Sequence, residues 1–512
     1  MKPIKTIIAQ ISLLVVLGVA AQVTQAALVD LAEHQDWDAV EAAISNEDLN
    51  AAQPDGMTAL FWATYYDEAD VVRLLLNAGA NPNIENRYGM TPLIQAAMNG
   101  NSAMITMLLE AGADAHATTP EGDNALLNAA KTGAVQGVQA LIEAGADVNS
   151  RDSYLYQTPL MWAVASNQAD VARILIDHGA DLNAQSAVLD FRGVAFSSTA
   201  GDFPDGGLTA LHHAARENAI AATQILIESG SDLNVLDSQG ISPLRFAIIN
   251  KNIDLAKMLV EAGANINDGA LVDLLDVETK ELTFVRAEKN YENQTSPMEL
   301  VELMLELGVD VNAYPEDAYP LPATGFRGGA GTSGQTALFN MAMTDDQDIM
   351  AMLLQHGANP NSLNMDGNYF PLSAALTLVP GRMGNIEEDE EVTELRDSVH
   401  LLLDYGADIN AIADDGTSVL HHAVSAGKET IVAFLIAEGA DLSIKDSSNR
   451  TALDVANGVS KVINNEEDDE DEPAELPVYE EIATLLRDAM NDQGIAIEEY
   501  TAPAAEENSG EA

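Results

Sequence analysis

The chain has 512 residues, 47% of them hydrophobic, and no cysteine. A single hydrophobic core rarely grows to that length, so several domains or a repeat array are expected, and disulfides and thiolate metal sites are excluded. With 81 Asp and Glu against 23 Lys and Arg the formal charge is −58, which repels phosphate backbones and anionic lipid and makes nucleic acid and membrane surfaces poor partners.

Residues 1–26 read as a secretory signal. Lys2 and Lys5 supply a positive start, Ile7 to Ala21 is apolar apart from spots such as Gln10 and Ser12, and Thr24-Gln25-Ala26 offers small residues for cleavage. The apolar run is shorter than the roughly 20 residues that a spanning helix needs. The mature protein is therefore expected to start at Ala27, to be periplasmic or secreted, and to keep no stable membrane insertion.

From residue 55 the chain repeats itself. Asp55-Gly56-Met57-Thr58-Ala59-Leu60 is answered 33 residues on by Tyr88-Gly89-Met90-Thr91-Pro92-Leu93. The ends of the units match too: Asn77-Ala78-Gly79-Ala80-Asn81-Pro82-Asn83, Glu110-Ala111-Gly112-Ala113-Asp114 and Glu143-Ala144-Gly145-Ala146-Asp147-Val148-Asn149. The ending recurs at Gly179, Gly230, Gly263, Gly308, Gly357, Gly406 and Gly439. Thr58 and Thr91 stand where a helix starts and their hydroxyls can satisfy an orphan N–H, with proline tolerated in the first turn. A short helix over 93–98, a turn at Asn99-Gly100 and a second helix over 103–110 follow. Gly112 then ends that helix in a left-handed conformation, and an extended hairpin leads to the next unit. One such unit cannot bury its apolar face alone, so stacking supplies the core.

These residues resemble the ankyrin-repeat family, here of an exported bacterial type. The family's two signatures stand as Thr209-Ala210-Leu211-His212-His213-Ala214-Ala215 and as Leu226-Ile227-Glu228-Ser229-Gly230-Ser231-Asp232-Leu233-Asn234. The resemblance implies an all-α solenoid of about 11–12 helix-turn-helix units with hairpin fingers. Residues 27–54 are expected as a degenerate N-terminal cap, 55–446 as the array, 447–492 as a C-terminal cap with an acidic insertion, and 493–512 as a disordered acidic tail. It also implies that His212 and His421 hydrogen-bond between units rather than hold metal.

Signature glycines fall 33 or 34 residues apart except for 51 to Gly230, 45 to Gly308, and 49 to each of Gly357 and Gly406. Two insertions lengthen fingers, at about 186–206 and 314–333. Others fall between the two helices of a unit, at about 277–295, 379–391 and 458–477. The acidic runs 387–391 and 466–472 lie in the last two and read as solvated loops, since the spaced oxygens of a calcium loop are absent.

Candidate partner-binding residues come from the scarce types. Phe191-Arg192-Gly193 and Phe326-Arg327-Gly328 recur in the two finger insertions, either as a coincidence of Gly-rich loops or as paired recognition elements for an acidic or planar group. Tyr65 and Tyr66 end a first helix, where the family presents its concave surface, and Tyr88, Tyr154 and Tyr156 fall in nearby hairpin turns. Trp62 and Trp162 share one framework position and are expected in the core. No His-Glu-x-x-His, Gly-x-Ser-x-Gly or phosphate-loop pattern occurs. The reading is a monomeric, non-enzymatic scaffold for a protein partner, with no cofactor or metal. Its rivals are a secreted effector or toxin-like factor acting on foreign cells and a carboxylate-dependent hydrolase. N-terminal sequencing of the protein from its native host tests the leader: the expected first residue is Ala27, and recovery of intact Met1 from the cytosol would overturn export.

Overall fold

The computed structural model describes residues 27–189, 205–279, 293–313, 335–364, 367–376, 397–459, 477–498 and 500. These residues hold 24 α-helices and one two-residue antiparallel ladder, divided between two compact units, Met1–Ala264 and Asn265–Ala512. The first unit contains seven helix pairs. They are α1 (Ala27–Glu33) with α2 (Trp37–Ala43), α3 (Ala59–Tyr65) with α4 (Ala69–Ala78), α5 (Pro92–Met98) with α6 (Ser102–Glu110), and α7 (Ala125–Thr132) with α8 (Val135–Glu143). Then come α9 (Pro159–Ala165) with α10 (Ala169–Asp177), α11 (Ala210–Glu217) with α12 (Ile220–Glu228), and α13 (Pro243–Ile249) with α14 (Ile253–Glu261). The second unit has five pairs: α15 (Ala270–Thr279) and α16 (Pro297–Glu306), α17 (Ala337–Thr344) and α18 (Gln347–Gln355), α19 (Pro371–Ala375) and α20 (Asp397–Asp404), α21 (Val419–Ser425) and α22 (Glu429–Ala437), α23 (Ala452–Ala456) and α24 (Glu480–Gln493). Twelve pairs is the upper of the expected counts, and the all-α repeat architecture stands.

Most of the first helices start on a hydroxyl or amide cap that accepts a backbone N–H. Thr58 Oγ1 accepts from the Phe61 N–H at 3.1 Å, and Thr91, Asn124, Thr158, Thr209, Ser242 and Thr336 do the same in their own turns. The leucine two residues after the cap is buried in each of these helices that carries it, as Leu60, Leu93, Leu126, Leu160, Leu211, Leu244 and Leu338. First helices pack on first helices within each unit, and second helices on second. The first layer is the wetter one's shield: α3 buries Ala59, Leu60, Phe61, Ala63 and Thr64, whereas the longer α4 buries only Val71, Val72 and Leu75. Burying one such leucine or valine is worth about 1.5–3 kcal/mol, and no single pair can bury both of its faces.

All ten signature glycines have positive φ, from +79° at Gly308 to +101° at Gly79. A Cβ added at Gly79 would meet nothing within 4 Å, so the backbone angle and not crowding selects glycine there. Fingertip glycines obey the opposite rule as well: a Cβ on Gly122 would lie 2.6 Å from the Ser153 nitrogen of the next finger. Adjacent fingertips do touch, through Arg87 N–H to the Asp55 carbonyl at 2.8 Å and Ser153 N–H to the Glu121 carbonyl at 3.0 Å.

The asparagine that ends the signature stitches units together. Asn83 Oδ1 accepts from the Asp114 N–H at 2.8 Å and its Nδ2 donates to the Gly112 carbonyl at 2.9 Å. Asn149 repeats both bonds to Asp181 and Gly179. The ladder crosses the insertions unchanged, from Asn183 to Asp232, Asn312 to Asn359 and Asn361 to Asp408. The inserted residues therefore leave the register of the stack intact. Each of these asparagines is itself held by an Asx turn, its N–H donating to the Asp or Asn two residues before it. At Gly112-Ala113-Asp114-Ala115-His116 the position is a histidine, whose side chain makes neither bond.

Most of the chain between α15 and α16, α19 and α20, and α23 and α24 lies outside the described residues. The finger insertion at 186–206 opens on the two-residue ladder, Val188 opposite Gly206 and Leu189 opposite Asp205. The last helix runs to Gln493, and the chain then returns to the final finger through a Lys445–Glu498 ion pair and a Tyr500 hydroxyl bond to the Ser448 carbonyl. The leader 1–26 and both acidic runs lie outside the described residues, among which no helix is long and apolar enough to cross a membrane.

Asn149→Ala is expected to lower stability in urea by about 1 kcal/mol, the net worth of a solvent-exposed pair of bonds, and His116→Asn to raise it by a similar amount by completing the ladder. Equal midpoints for wild type and both variants would show that stacking alone sets the register.

Candidate functional site

Two positions of each capped first helix, four and seven residues past the cap, fall on one helical face. In the first unit they are Trp62 and Tyr65, Gln95 and Met98, Asn128 and Lys131, Trp162 and Ala165, His213 and Arg216, and Phe246 and Ile249. Helical geometry puts positions three and four apart on one face, and the stack lines successive helices up. The direction is set by bonds into the fingers. Trp62 Nε1 donates to Gln53 Oε1 at 3.1 Å, and Trp162 Nε1 donates to the Asp152 carboxylate at 3.2 Å. Both tryptophans are half-exposed rather than core residues. The expectation of burial fails because an indole N–H needs an acceptor, and here the finger supplies it at the edge of solvent.

Of the sequence candidates, Tyr65, Tyr88, Tyr154 and Tyr156 are exposed by 51, 57, 74 and 53%. Tyr66 is placed differently. It stacks on Trp62 with centroids 5.7 Å apart, meets Trp37 edge-on at 6.1 Å, and donates its hydroxyl to the Glu33 carbonyl, so it ties the first two pairs together. Tyr65 stands edge-on to Trp62 at 5.7 Å and leaves its other face to solvent. Tyr88 lies under the Arg87 guanidinium, 4.7 Å from its centroid, and accepts a bond from it. Tyr156 has φ +55°, in the left-handed region that non-glycine residues seldom adopt. Phe191, Arg192, Phe326 and Arg327 lie outside the described residues. The stem of the finger that carries Phe191 and Arg192 departs beside Leu155, to whose carbonyl the Ala187 N–H donates at 2.7 Å.

Sequence reasoning missed three parts of this face. Met98 is 49% exposed at the end of α5, in line with Tyr65. Lys131 places its ammonium 4.4 Å from the Trp162 ring centroid. Asp152, buried, accepts from the N–H groups of Tyr154, Leu155 and Gln157 besides the indole, and so fixes the finger that displays Tyr154. Beside it Asp123 has its pKa raised, by partial burial first and then by the charges of Asp152 and Glu121, with Lys131 opposing. A common framework position was the only signal for the indoles and the lysine, and a side chain's role there depends on the finger it meets.

The histidines are structural. His212 Nδ1 accepts from Thr209, and its Nε2 donates to the Ile241 carbonyl of the next unit at 3.0 Å. His421 makes the equivalent bonds to Ser418 and to the Arg450 carbonyl. Burial lowers the His212 pKa to about 4. Burial, helped by Arg216 and His212, lowers that of His213 to about 3. Both are neutral when folded at neutral pH, so their contribution is whole above about 6.5 and drains away as pH falls toward 4. The stability gap between wild type and His213→Gln should therefore shrink by about 1.4 kcal/mol per pH unit below 6.5. A gap constant from pH 7 to 4.5 would show His213 to be solvated.

Compared with families of known proteins, the chain matches ankyrin repeats in sets of three over residues 26–119, 93–186, 194–270 and 392–464, and a single ankyrin repeat over 333–365. It is 26% identical over 322 residues to an E3 ubiquitin-protein ligase, KEG, of Arabidopsis thaliana, a match covering 58% of this chain and 18% of that protein. It is 29% identical over 256 residues to the B-cell lymphoma 3 protein homolog of Mus musculus, covering 49% and 48%. Against ankyrin repeat and SOCS box protein 16 of Homo sapiens the identity is 33% over 109 residues, covering 21% and 20%. The chain thus spans less than half the length of each of these relatives.

Proposed function

The chain belongs to the ankyrin-repeat family, and on that premise we propose that it is an exported scaffold whose protein partner seats on the finger side of the first unit. Ankyrin repeats are typically non-enzymatic interaction modules. The observation that carries the reading is the row of exposed anchors, Tyr65, Tyr88, Met98, Tyr154 and Tyr156, with the half-exposed indoles of Trp62 and Trp162 among them. Aromatic side chains give large contact area for little lost entropy and dominate binding hot spots. They stand on rigid helices and hydrogen-bonded fingers, so little ordering is left to be done on binding. From α3 to α9 is three helix spacings of roughly 10 Å each. That reach suits a protein interface better than a small molecule. The signal-like residues 1–26 support a periplasmic or secreted setting.

Truncating Tyr65, Tyr88 and Tyr154 together to alanine tests this. Each ring should cost about 1–2 kcal/mol of partner affinity while the melting temperature moves little, because the rings bury little against the stack. Wild type and the triple variant are compared as baits in the envelope fraction of the native host. A partner recovered equally by both would move the site away from this face.

A further inference from the structure

The finger side also carries information about the charge of what it meets. Two of its rings already hold cations from the chain itself, Arg87 over Tyr88 and Lys131 over Trp162. Among the described residues Arg87 and Arg151 form no ion pair with a carboxylate, while Lys131 acts electrostatically on Asp123. The π faces on this side are therefore cation-accepting surfaces in a measurable geometry, even in a chain rich in carboxylates.

Tyr154 is the most exposed of these rings, and among the described residues no cation lies over it. Its finger is tied to the preceding one through Ser153, whose N–H donates to the Glu121 carbonyl. That contact sets the finger of Tyr154 against the one that carries Glu121 and Asp123, both exposed, and Asp152, which accepts from the Tyr154 N–H, acts electrostatically on Asp123. Like charges meet there: partial burial first, and then Asp152 and Glu121, raise the pKa of Asp123, against which Lys131 acts. An arriving cation would relieve that repulsion, and the chain's −58 charge draws positive segments toward it.

We propose that the segment docking between the fingers of Glu121–Asp123 and Tyr154–Tyr156 is an extended stretch of a partner protein bearing lysine or arginine. One cation covers the Tyr154 ring and is countered by Glu121 and Asp123, while the apolar stem of the side chain lies along the ring. This rests on the binding role proposed above, and it names the chemistry of the occupant. The opposite occupant, an acidic segment drawn to Lys131 and Arg151, is the alternative that the experiment separates.

The test uses the full chain, labelled with ¹⁵N, and two twelve-residue probe peptides in the same Gly/Ser frame, one with four arginines and one with four glutamates. With three tryptophans in the chain, the Trp162 indole signal is assigned from the Trp162→Phe spectrum. The arginine peptide is expected to shift the Trp162 indole and Tyr154 backbone signals saturably, and the glutamate peptide is not. Glu121→Gln with Asp123→Asn should weaken arginine-peptide binding about three- to tenfold and flatten its salt dependence. Tyr154→Leu, which keeps bulk and loses the π face, should weaken it about two- to fivefold. The proposal is overturned if the glutamate peptide is the one that shifts these signals, if neither peptide does, or if the double variant binds the arginine peptide as tightly as wild type. In the first of those outcomes the face still binds and only the charge is wrong. The function proposed above is decided separately, by the ring truncations.

Discussion

A pair of short helices has two apolar faces and water on both sides. In this molecule α4 can bury only Val71, Val72 and Leu75, and its partner α3 would leave Leu60 and Phe61 in solvent were α1 and α5 not packed against it. Burial is therefore purchased from neighbours, and everything else has to keep neighbours in register. Apolar packing alone does that poorly, since it is non-directional. The asparagine bonds supply direction, because each reaches one particular N–H in the next unit. Pairs as distant in sequence as Asn183 and Asp232 make the same bond as Asn83 and Asp114.

That constraint explains where the chain tolerates growth. Residues are added at the ends of fingers or between the two helices of a pair, and never inside the helices or between the signature glycine and its asparagine. Loop closure entropy rises slowly with length, so a long excursion at a rim costs little once its two ends are pinned. The ends are pinned, by the Val188–Gly206 and Leu189–Asp205 pairs in one case and by the persisting ladder across 314–333 and 379–391.

The same regularity makes the binding face possible. Stacking presents positions four and seven past each cap in parallel rows, and where those positions are not buried, as Gln95 and His213 are, the chain can vary them without touching the core. In the first unit those rows hold Trp62, Tyr65, Met98, Lys131 and Trp162. In the first unit the tyrosines gather on this face, whereas Phe61, like Phe339 and Phe370 in the second unit, is buried in the core. Tyr66 is the exception, spent on joining the first two pairs.

What the sequence determined by itself was periodic and local. The 33-residue spacing, the hydroxyl caps, the positive-φ glycines and the apolar spacing of the second helices each depend on residues within a few positions of one another, so helices fell within a residue or two of expectation: 93–98 against Pro92–Met98, and 103–110 against Ser102–Glu110. Tyr65, Tyr88, Tyr154 and Tyr156 were legible as surface rings because they sit at helix ends and turns. What the tertiary structure alone decided involves partners farther off along the chain, from 9 or 10 residues for the indoles to about one unit for the rest. Trp62 and Trp162 looked like core until the fingers offered them acceptors at the solvent edge, Lys131 gained meaning only from the ring of the next unit, and the asparagines looked like turn residues until the adjacent unit's N–H came within 3 Å. A local pattern encodes the conformation of one unit, whereas the environment of its surface is set by the unit stacked upon it.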